Sequence, residues 1–131
     1  MKINHIGYVV KSLEKSTQYY CENFGYSVKV KRIFVKNQLV DIVMLKSPII
    51  TDPDLELICP TTEDSPAYNS LRRGEVINHI CYQTKNYAEV LKKFEKRIVR
   101  KSMPAPVELF GGGHTFFAYL NGQLTEFLEE M

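Results

Sequence analysis

Two histidines occupy the same place in an internal repeat. Residues 3–8 read Ile-Asn-His-Ile-Gly-Tyr and residues 77–82 read Ile-Asn-His-Ile-Cys-Tyr, so five of six positions match at an offset of 74. The chain has three histidines, and the repeat pairs two of them, His5 and His79. A single strand histidine is usually a core residue with a hydrogen-bonding partner. Repetition favours a shared chemical role instead, and imidazole is a common metal ligand.

Two glutamates repeat in the same way. Asp-Leu-Glu-Leu-Ile at 54–58 and Leu-Thr-Glu-Phe-Leu at 124–128 each place a glutamate among apolar residues of a strand-like segment. Glu56 follows His5 by 51 residues, and Glu126 follows His79 by 47. Acidic residues are disfavoured in strands and in protein interiors, so their presence needs a reason. A pseudo-twofold arrangement of the two halves would bring all four side chains together.

Two imidazoles and two carboxylates suit a divalent first-row metal ion. Imidazole favours zinc, nickel, cobalt or iron, and carboxylates extend the choice to manganese and magnesium. Four protein ligands on a six-coordinate ion leave two positions for water or substrate oxygens, as Lewis-acid chemistry requires. The sequence therefore predicts one divalent metal ion of unspecified identity, bound by His5, Glu56, His79 and Glu126.

Each half reads as a strand, a helix and three strands. Ser12 is a candidate N-cap for a first helix, which ends at Gly25. Asn86 is a candidate N-cap for a second helix, whose apolar face extends to Ile98. The predicted later strands are 27–35, 38–46 and 54–59 in the first half and 101–110, 114–120 and 123–129 in the second half.

These elements predict an α+β fold, in which two βαβββ modules form one curled mixed sheet around a cavity, with the helices outside. Side chains alternate along a strand, so the apolar faces can cover the helices while the histidine faces line the cavity. We expect one domain over 1–131, with module one at about 1–60, a linker at about 61–75 and module two at about 76–131. The linker holds turn-forming residues and a short helical stretch ending near Gly74.

Composition excludes several functional classes. The 131 residues are 44% apolar and 24% charged, which is typical of a globular protein. A net charge of +2 spread along the chain indicates neither a nucleic-acid nor a membrane partner. The three cysteines are odd in number and lack CxxC spacing, so we expect reduced thiols and a cytoplasmic location.

Several short motifs together resemble the vicinal oxygen chelate superfamily, which includes glyoxalase I, methylmalonyl-CoA epimerase, extradiol dioxygenases, and fosfomycin and bleomycin resistance proteins. The matching segments are Ile3-Asn4-His5-Ile6-Gly7-Tyr8, Tyr20, Phe24-Gly25, Leu55-Glu56-Leu57, Asp64-Ser65-Pro66, Asn78-His79-Ile80-Cys81 and Thr125-Glu126-Phe127-Leu128. The resemblance implies paired βαβββ modules around a metal, with the two histidines and two glutamates as ligands. It also implies a homodimer.

Among the chemistries of this superfamily, the resemblance to the epimerases is closest. Glu56 disfavours an extradiol dioxygenase, because those enzymes use two histidines and one carboxylate. The segments 64–66 and 78–82 resemble methylmalonyl-CoA epimerase, whereas Val9 stands near the place where glyoxalase I usually carries an arginine. One departure from the epimerase pattern is the turn at 120–122, Leu-Asn-Gly, where epimerases tend to have a His-Pro-Lys-like turn.

The resemblance thus implies a metal-dependent isomerase, epimerase or lyase that transfers a proton next to the carbonyl of a small-molecule carbonyl compound or thioester, such as an acyl-CoA. Glu126 is the candidate mobile ligand and general base, with Glu56 as its partner. His114, which follows three glycines, is a candidate substrate-binding residue. The alternatives are a glyoxalase I-like lactoylglutathione lyase and a non-catalytic small-molecule binding or resistance protein.

Overall fold

A computed structural model describes residues 1–74 and 77–131. Within these residues the chain forms eight strands, four α-helices and one short 3₁₀ helix. The strands are β1 (Lys2–Val9), β2 (Ser27–Val35), β3 (Val40–Lys46), β4 (Asp54–Pro60), β5 (Ile77–Thr84), β6 (Ile98–Pro104), β7 (His114–Leu120) and β8 (Gln123–Glu129). The helices are α1 (Leu13–Phe24), α2 (Tyr68–Arg72), α3 (Tyr87–Lys93) and α4 (Val107–Phe110), and the 3₁₀ helix is Glu95–Arg97.

The strands form a mixed sheet. Their hydrogen-bonded order is β2-β3-β4-β1-β5-β8-β7-β6. The pair β5 and β8 is parallel, whereas β2 with β3, β3 with β4, β6 with β7 and β7 with β8 are antiparallel. The predicted α+β class and the strand–helix–three-strand pattern of each half are confirmed. None of the helices in the described residues is long and apolar enough to cross a membrane.

The chain folds into two compact units. The histidine unit combines Met1–His5 with His79–Met131, and the Glu56 unit is Ile6–Asn78. The division falls inside β1, between His5 and Ile6. The single domain over 1–131 stays a prediction, and the predicted junction between linker and second module, at 75 and 76, lies outside the described residues.

In the Glu56 unit, α1 packs on the sheet through Leu13. The Ser12 side chain accepts a hydrogen bond from the Lys15 amide, and Gly25 ends the helix with a left-handed φ of 73°, so both predicted caps are confirmed. Leu13 joins a core cluster with the strand residues Val43, Leu45, Leu55 and Leu57. Because neighbours in a strand point to opposite faces, Glu56 lies on the face of β4 that α1 does not cover.

In the histidine unit, α3 and the inner strands bury an aromatic core. Its buried members are Val90, Phe116, Ala118 and Phe127. The prediction that the helix reaches Ile98 is wrong, because the α-helix ends at Lys93, a 3₁₀ turn follows and Ile98 begins β6. Ile98 still packs against the same core, and that shared burial extended the apolar pattern beyond the helix. Asn86 occupies the N-cap position, but its side chain makes no capping hydrogen bond.

The segment predicted as one strand over 101–110 contains a strand and a short helix. Strand β6 ends at Pro104, and α4 follows with Pro106 as its N-cap and Gly111 after its last residue. Proline cannot donate a ladder hydrogen bond, and its fixed φ suits the start of a helix. Gly111 has a φ of 69°, which lets the chain leave the helix.

Candidate metal centre

The imidazoles of His5 and His79 meet inside the histidine unit. His5 lies in β1 and His79 in β5, and their residues are 0% and 3% exposed. The two Nε2 atoms are 3.2 Å apart, and the rings are nearly perpendicular. The repeat that pairs these residues in the sequence therefore also pairs them in space.

Glu126 completes a triangle of ligand atoms with the two histidines. Its Oε1 atom lies 3.1 Å from His5 Nε2 and 3.3 Å from His79 Nε2. At metal–ligand bonds of about 2.0–2.2 Å, two ligand atoms of one ion lie roughly 3.0–3.5 Å apart. The spacing of these three atoms, and their N and O chemistry, therefore fit a first-row divalent ion.

Hydrogen bonds to the outer atoms of this triangle hold the ligands in place. Thr115 Oγ1 donates to Glu126 Oε2 at 2.6 Å, which leaves Oε1 directed at the histidines. His5 Nδ1 lies 2.7 Å from Asn4 Oδ1, and Asn4 Nδ2 donates to Gln83 Oε1 at 2.8 Å. The Asn4 amide oxygen can only accept, so Nδ1 of His5 donates to it, and Nε2 is the ring nitrogen that faces Glu126 and could serve as a metal ligand.

The surroundings of Glu126 keep its carboxyl group ionised. Its burial opposes ionisation, but hydrogen bonds and electrostatic attraction from His5 and His79 outweigh that effect and hold the pKa of Glu126 well below its ordinary range. A buried carboxylate is the form that a metal ligand requires. The same low pKa weakens Glu126 as a base while these contacts last.

Two aromatic rings that carry no sequence signal for the site enclose the histidines. Phe110 of α4 stacks on His5 with ring centroids 5.1 Å apart, and Phe117 of β7 meets His79 edge to face at 5.4 Å. The helix α4, which carries Phe110, does have a sequence signal. A proline precedes residues 107–110 and glycines follow them, a pattern typical of a short helix rather than a strand. Apolar walls lower the local dielectric and strengthen electrostatic interactions at the site.

Two further residues were predicted for the site, Glu56 and His114. Glu56 belongs to the Glu56 unit, where it is 4% exposed and pairs across the strands with Met44. Its role as a metal ligand stays a prediction from the repeat. His114 is about half exposed at the start of β7, with Nδ1 3.6 Å from Glu129 Oε1. Strand alternation directs it away from the face that carries Thr115, so its role as a substrate-binding residue also stays a prediction.

Cys81 lies on the same face of β5 as His79 and is completely buried. It pairs across the parallel strands with Glu126, and the ligand atoms of Cys81, His5 and Glu126 all lie within 4.8 Å of one another. The thiol is therefore close enough to contact anything that the triangle binds.

Paired βαβββ halves and a cluster of histidine and carboxylate side chains define a class of protein, and the sequence match agrees with that class. Residues 4–119 match the Glyoxalase/Bleomycin resistance protein/Dioxygenase superfamily, and the chain belongs to it. No curated protein sequence matches the chain significantly.

Solved structures of methylmalonyl-CoA epimerases are similar to this chain. One, in complex with methylmalonyl-CoA and NH4+, has a TM-score of 0.82 at 25% identity and covers 98% of this chain and 94% of its own. A Streptomyces coelicolor enzyme variant in complex with 2-nitronate-propionyl-CoA has a TM-score of 0.83 at 25% identity, with coverage of 99% and 94%. The Mycobacterium tuberculosis epimerase has a TM-score of 0.84 at 17% identity, with coverage of 99% and 88%, and supports the fold alone.

Proposed function

We propose that this protein is a metal-dependent isomerase of the epimerase type, which transfers a proton next to the carbonyl of an acyl-CoA thioester. The observation that carries the proposal is the convergence of His5 Nε2, His79 Nε2 and Glu126 Oε1 at 3.1 to 3.3 Å. Membership of the superfamily and the similarity to methylmalonyl-CoA epimerase structures support it.

In this proposal His5, His79 and Glu126 hold one divalent ion, and Glu56 is the fourth ligand that the repeat predicts. When bound, the ion would supply Lewis-acid stabilisation of the negative charge that develops on the carbonyl oxygen as the neighbouring proton leaves. Asn4 and Thr115 are positioning residues, because they fix the histidine tautomer and the carboxylate orientation. Phe110 and Phe117 exclude water from the imidazoles.

The proton transfer itself is assigned to the carboxylates of Glu126 and Glu56. Glu126 is held by three contacts, two from the histidines and one from Thr115. Its carboxylate is the candidate mobile ligand and general base. Glu56 is the alternative base if Glu126 keeps its position throughout the reaction.

Deuterium uptake tests this function directly. Metal-loaded protein incubated in deuterated water with methylmalonyl-CoA should place solvent deuterium on the carbon next to the thioester, as read by mass spectrometry. Glu126→Gln should slow exchange far more than it weakens binding, because it removes a group needed in the transition state. Metal content is measured in the same sample, since Glu126 is also a proposed ligand.

Glu130→Gln is the matched control, because it makes the same change four residues later in the chain, at an exposed position just after β8. It should leave exchange unchanged. A hemithioacetal of glutathione is the second substrate to try, and exchange with that compound alone would favour the glyoxalase I-like alternative. Tight binding of either compound without exchange would overturn the enzyme proposal in favour of a sequestering protein.

A further inference from the structure

A row of cross-strand partners leads from the metal-ligand triangle to an arginine. Arg100 of β6 pairs with Phe117 of β7, Phe117 pairs with Glu126 of β8, and Glu126 pairs with Cys81 of β5. Residues directly opposite one another in neighbouring strands project from the same face of the sheet. The Arg100 side chain therefore lies on the face that carries Glu126, Cys81 and His79.

The contacts of the Phe117 ring support this orientation of the Arg100 side chain. The Arg100 Cζ atom lies 5.2 Å from the centroid of the Phe117 ring, whose own edge-to-face contact with His79 is at 5.4 Å. One aromatic ring thus separates the guanidinium from a proposed metal ligand. Cation–π contact with the ring limits where the guanidinium can move, yet it occupies none of the N–H donors at the guanidinium edge.

The guanidinium of Arg100 makes no hydrogen bond or ion pair within the residues that the structure describes, 1–74 and 77–131. Burial lowers the pKa of Arg100, and electrostatic interactions with Glu126 and Tyr119 act in the opposite direction. Arg32, an arginine on β2, donates instead to the Asp41 carboxylate at 2.6 and 3.0 Å. A partly buried guanidinium that has unused N–H donors and lies beside the metal-ligand triangle can bind an oxyanion.

We propose that Arg100 forms an oxyanion subsite next to the metal centre, where it binds a carboxylate or phosphate group of the substrate. The inference rests on the proposed function, because it adds a specificity element to the same site. It predicts that the preferred substrate carries a negatively charged group in addition to the oxygens that reach the metal. Neutral carbonyl compounds of the same size should bind more weakly.

Paired hydroxamates test the subsite by binding alone. The neutral probe is butyrohydroxamate, and its partner is the monohydroxamate of succinic acid, which replaces the terminal methyl with a carboxylate. A third probe carries a terminal phosphonate on a chain of the same length and separates the two oxyanion sources. Dissociation constants for cobalt-loaded protein are measured by calorimetry and by the visible spectrum of the metal.

The wild-type protein should bind one of the charged probes about ten-fold or more tightly than the neutral probe, as expected for a charge-assisted hydrogen bond. Arg100→Gln should abolish that preference and leave the affinity for butyrohydroxamate unchanged. Arg100→Lys should keep part of the preference, since it retains the charge and loses the fork of donors. Lys101→Gln removes the neighbouring exposed charge and should keep all of that preference.

An equal preference in Arg100→Gln and in wild type, with unchanged circular dichroism, would overturn the subsite and leave the metal centre standing. Equal loss in Lys101→Gln would also overturn it, because the preference would then come from general surface charge. If the neutral probe leaves the cobalt spectrum unchanged, the proposed metal centre fails, and the subsite fails with it.

Discussion

The hydrogen bond from Thr115 to Glu126 makes a sharp test of the metal centre. Thr115→Val replaces a hydroxyl with a methyl of similar size, so the change removes the bond at 2.6 Å without opening a cavity. Both residues are buried, at 2% and 4% exposure, so no bulk water replaces the lost donor. The carboxylate then loses the contact that directs its other oxygen at the histidines.

The expected effect is large because the acceptor is charged. Removing a hydrogen bond to a charged, buried group costs about 1.5–3 kcal/mol. Loss of an outer partner of a metal ligand typically lowers metal affinity by about 10- to 100-fold. We therefore expect the metal dissociation constant to rise by roughly 10- to 100-fold in Thr115→Val, as measured by competition with a chromophoric chelator.

Thr125→Val is the matched control. Thr125 is also buried and also has its hydroxyl bonded, to the Gln123 carbonyl at 3.0 Å, but it projects from the opposite face of β8 to Glu126. Its metal affinity should equal that of wild type. Unchanged affinity in Thr115→Val, or the same loss in both variants, would refute the argument that Thr115 orients a metal-binding carboxylate.

Three further outcomes are expected. His5→Ala and His79→Ala should each lose the single divalent ion, because a ligand is removed, and full occupancy by elemental analysis in both variants would contradict the site. The chain of 15.2 kDa should be a homodimer in light scattering, since β2 and β6 each have one neighbour among the described strands and edges need cover; a monomer mass at micromolar concentration would contradict this. Ser12→Ala should lower the free energy of unfolding in urea by about 1 kcal/mol through loss of the N-cap, whereas Ser16→Ala inside α1 should not, and equal losses would disprove the capping role.

Local sequence signals were sufficient to predict the bounds of several helices and strands. The strands at 114–120 and 123–129 have the predicted bounds, because both are rich in apolar and aromatic residues and the turn at Asn121-Gly122 separates them clearly. Ser12 and Gly25 define α1, since capping depends on residues next to the helix end. The end of α3 was not predictable in this way, because Ile98 lies in a strand and packs against the same core as the helix.

The internal repeat determined which residues pair at the candidate site. His5 and His79 occupy the same position in two similar halves of the sequence. The same local pattern forms the same kind of strand in each half, so the two histidines also occupy equivalent positions in the fold. Their Nε2 atoms lie 3.2 Å apart, with Glu126 beside them, and their role as metal ligands stays a prediction. The same argument assigned Glu56 to the site, where its role stays a prediction.

Only the tertiary structure decided what surrounds those ligands. Thr115, Phe117 and Arg100 have no motif that marks them, and their places depend on the register that aligns β6, β7 and β8 beside the parallel β5. A one-residue slip in that register would turn each of these side chains to the other face of the sheet. Register is set by the packing of whole strands against a common core, so residues far apart in the chain acquire shared contacts that no short stretch of sequence encodes.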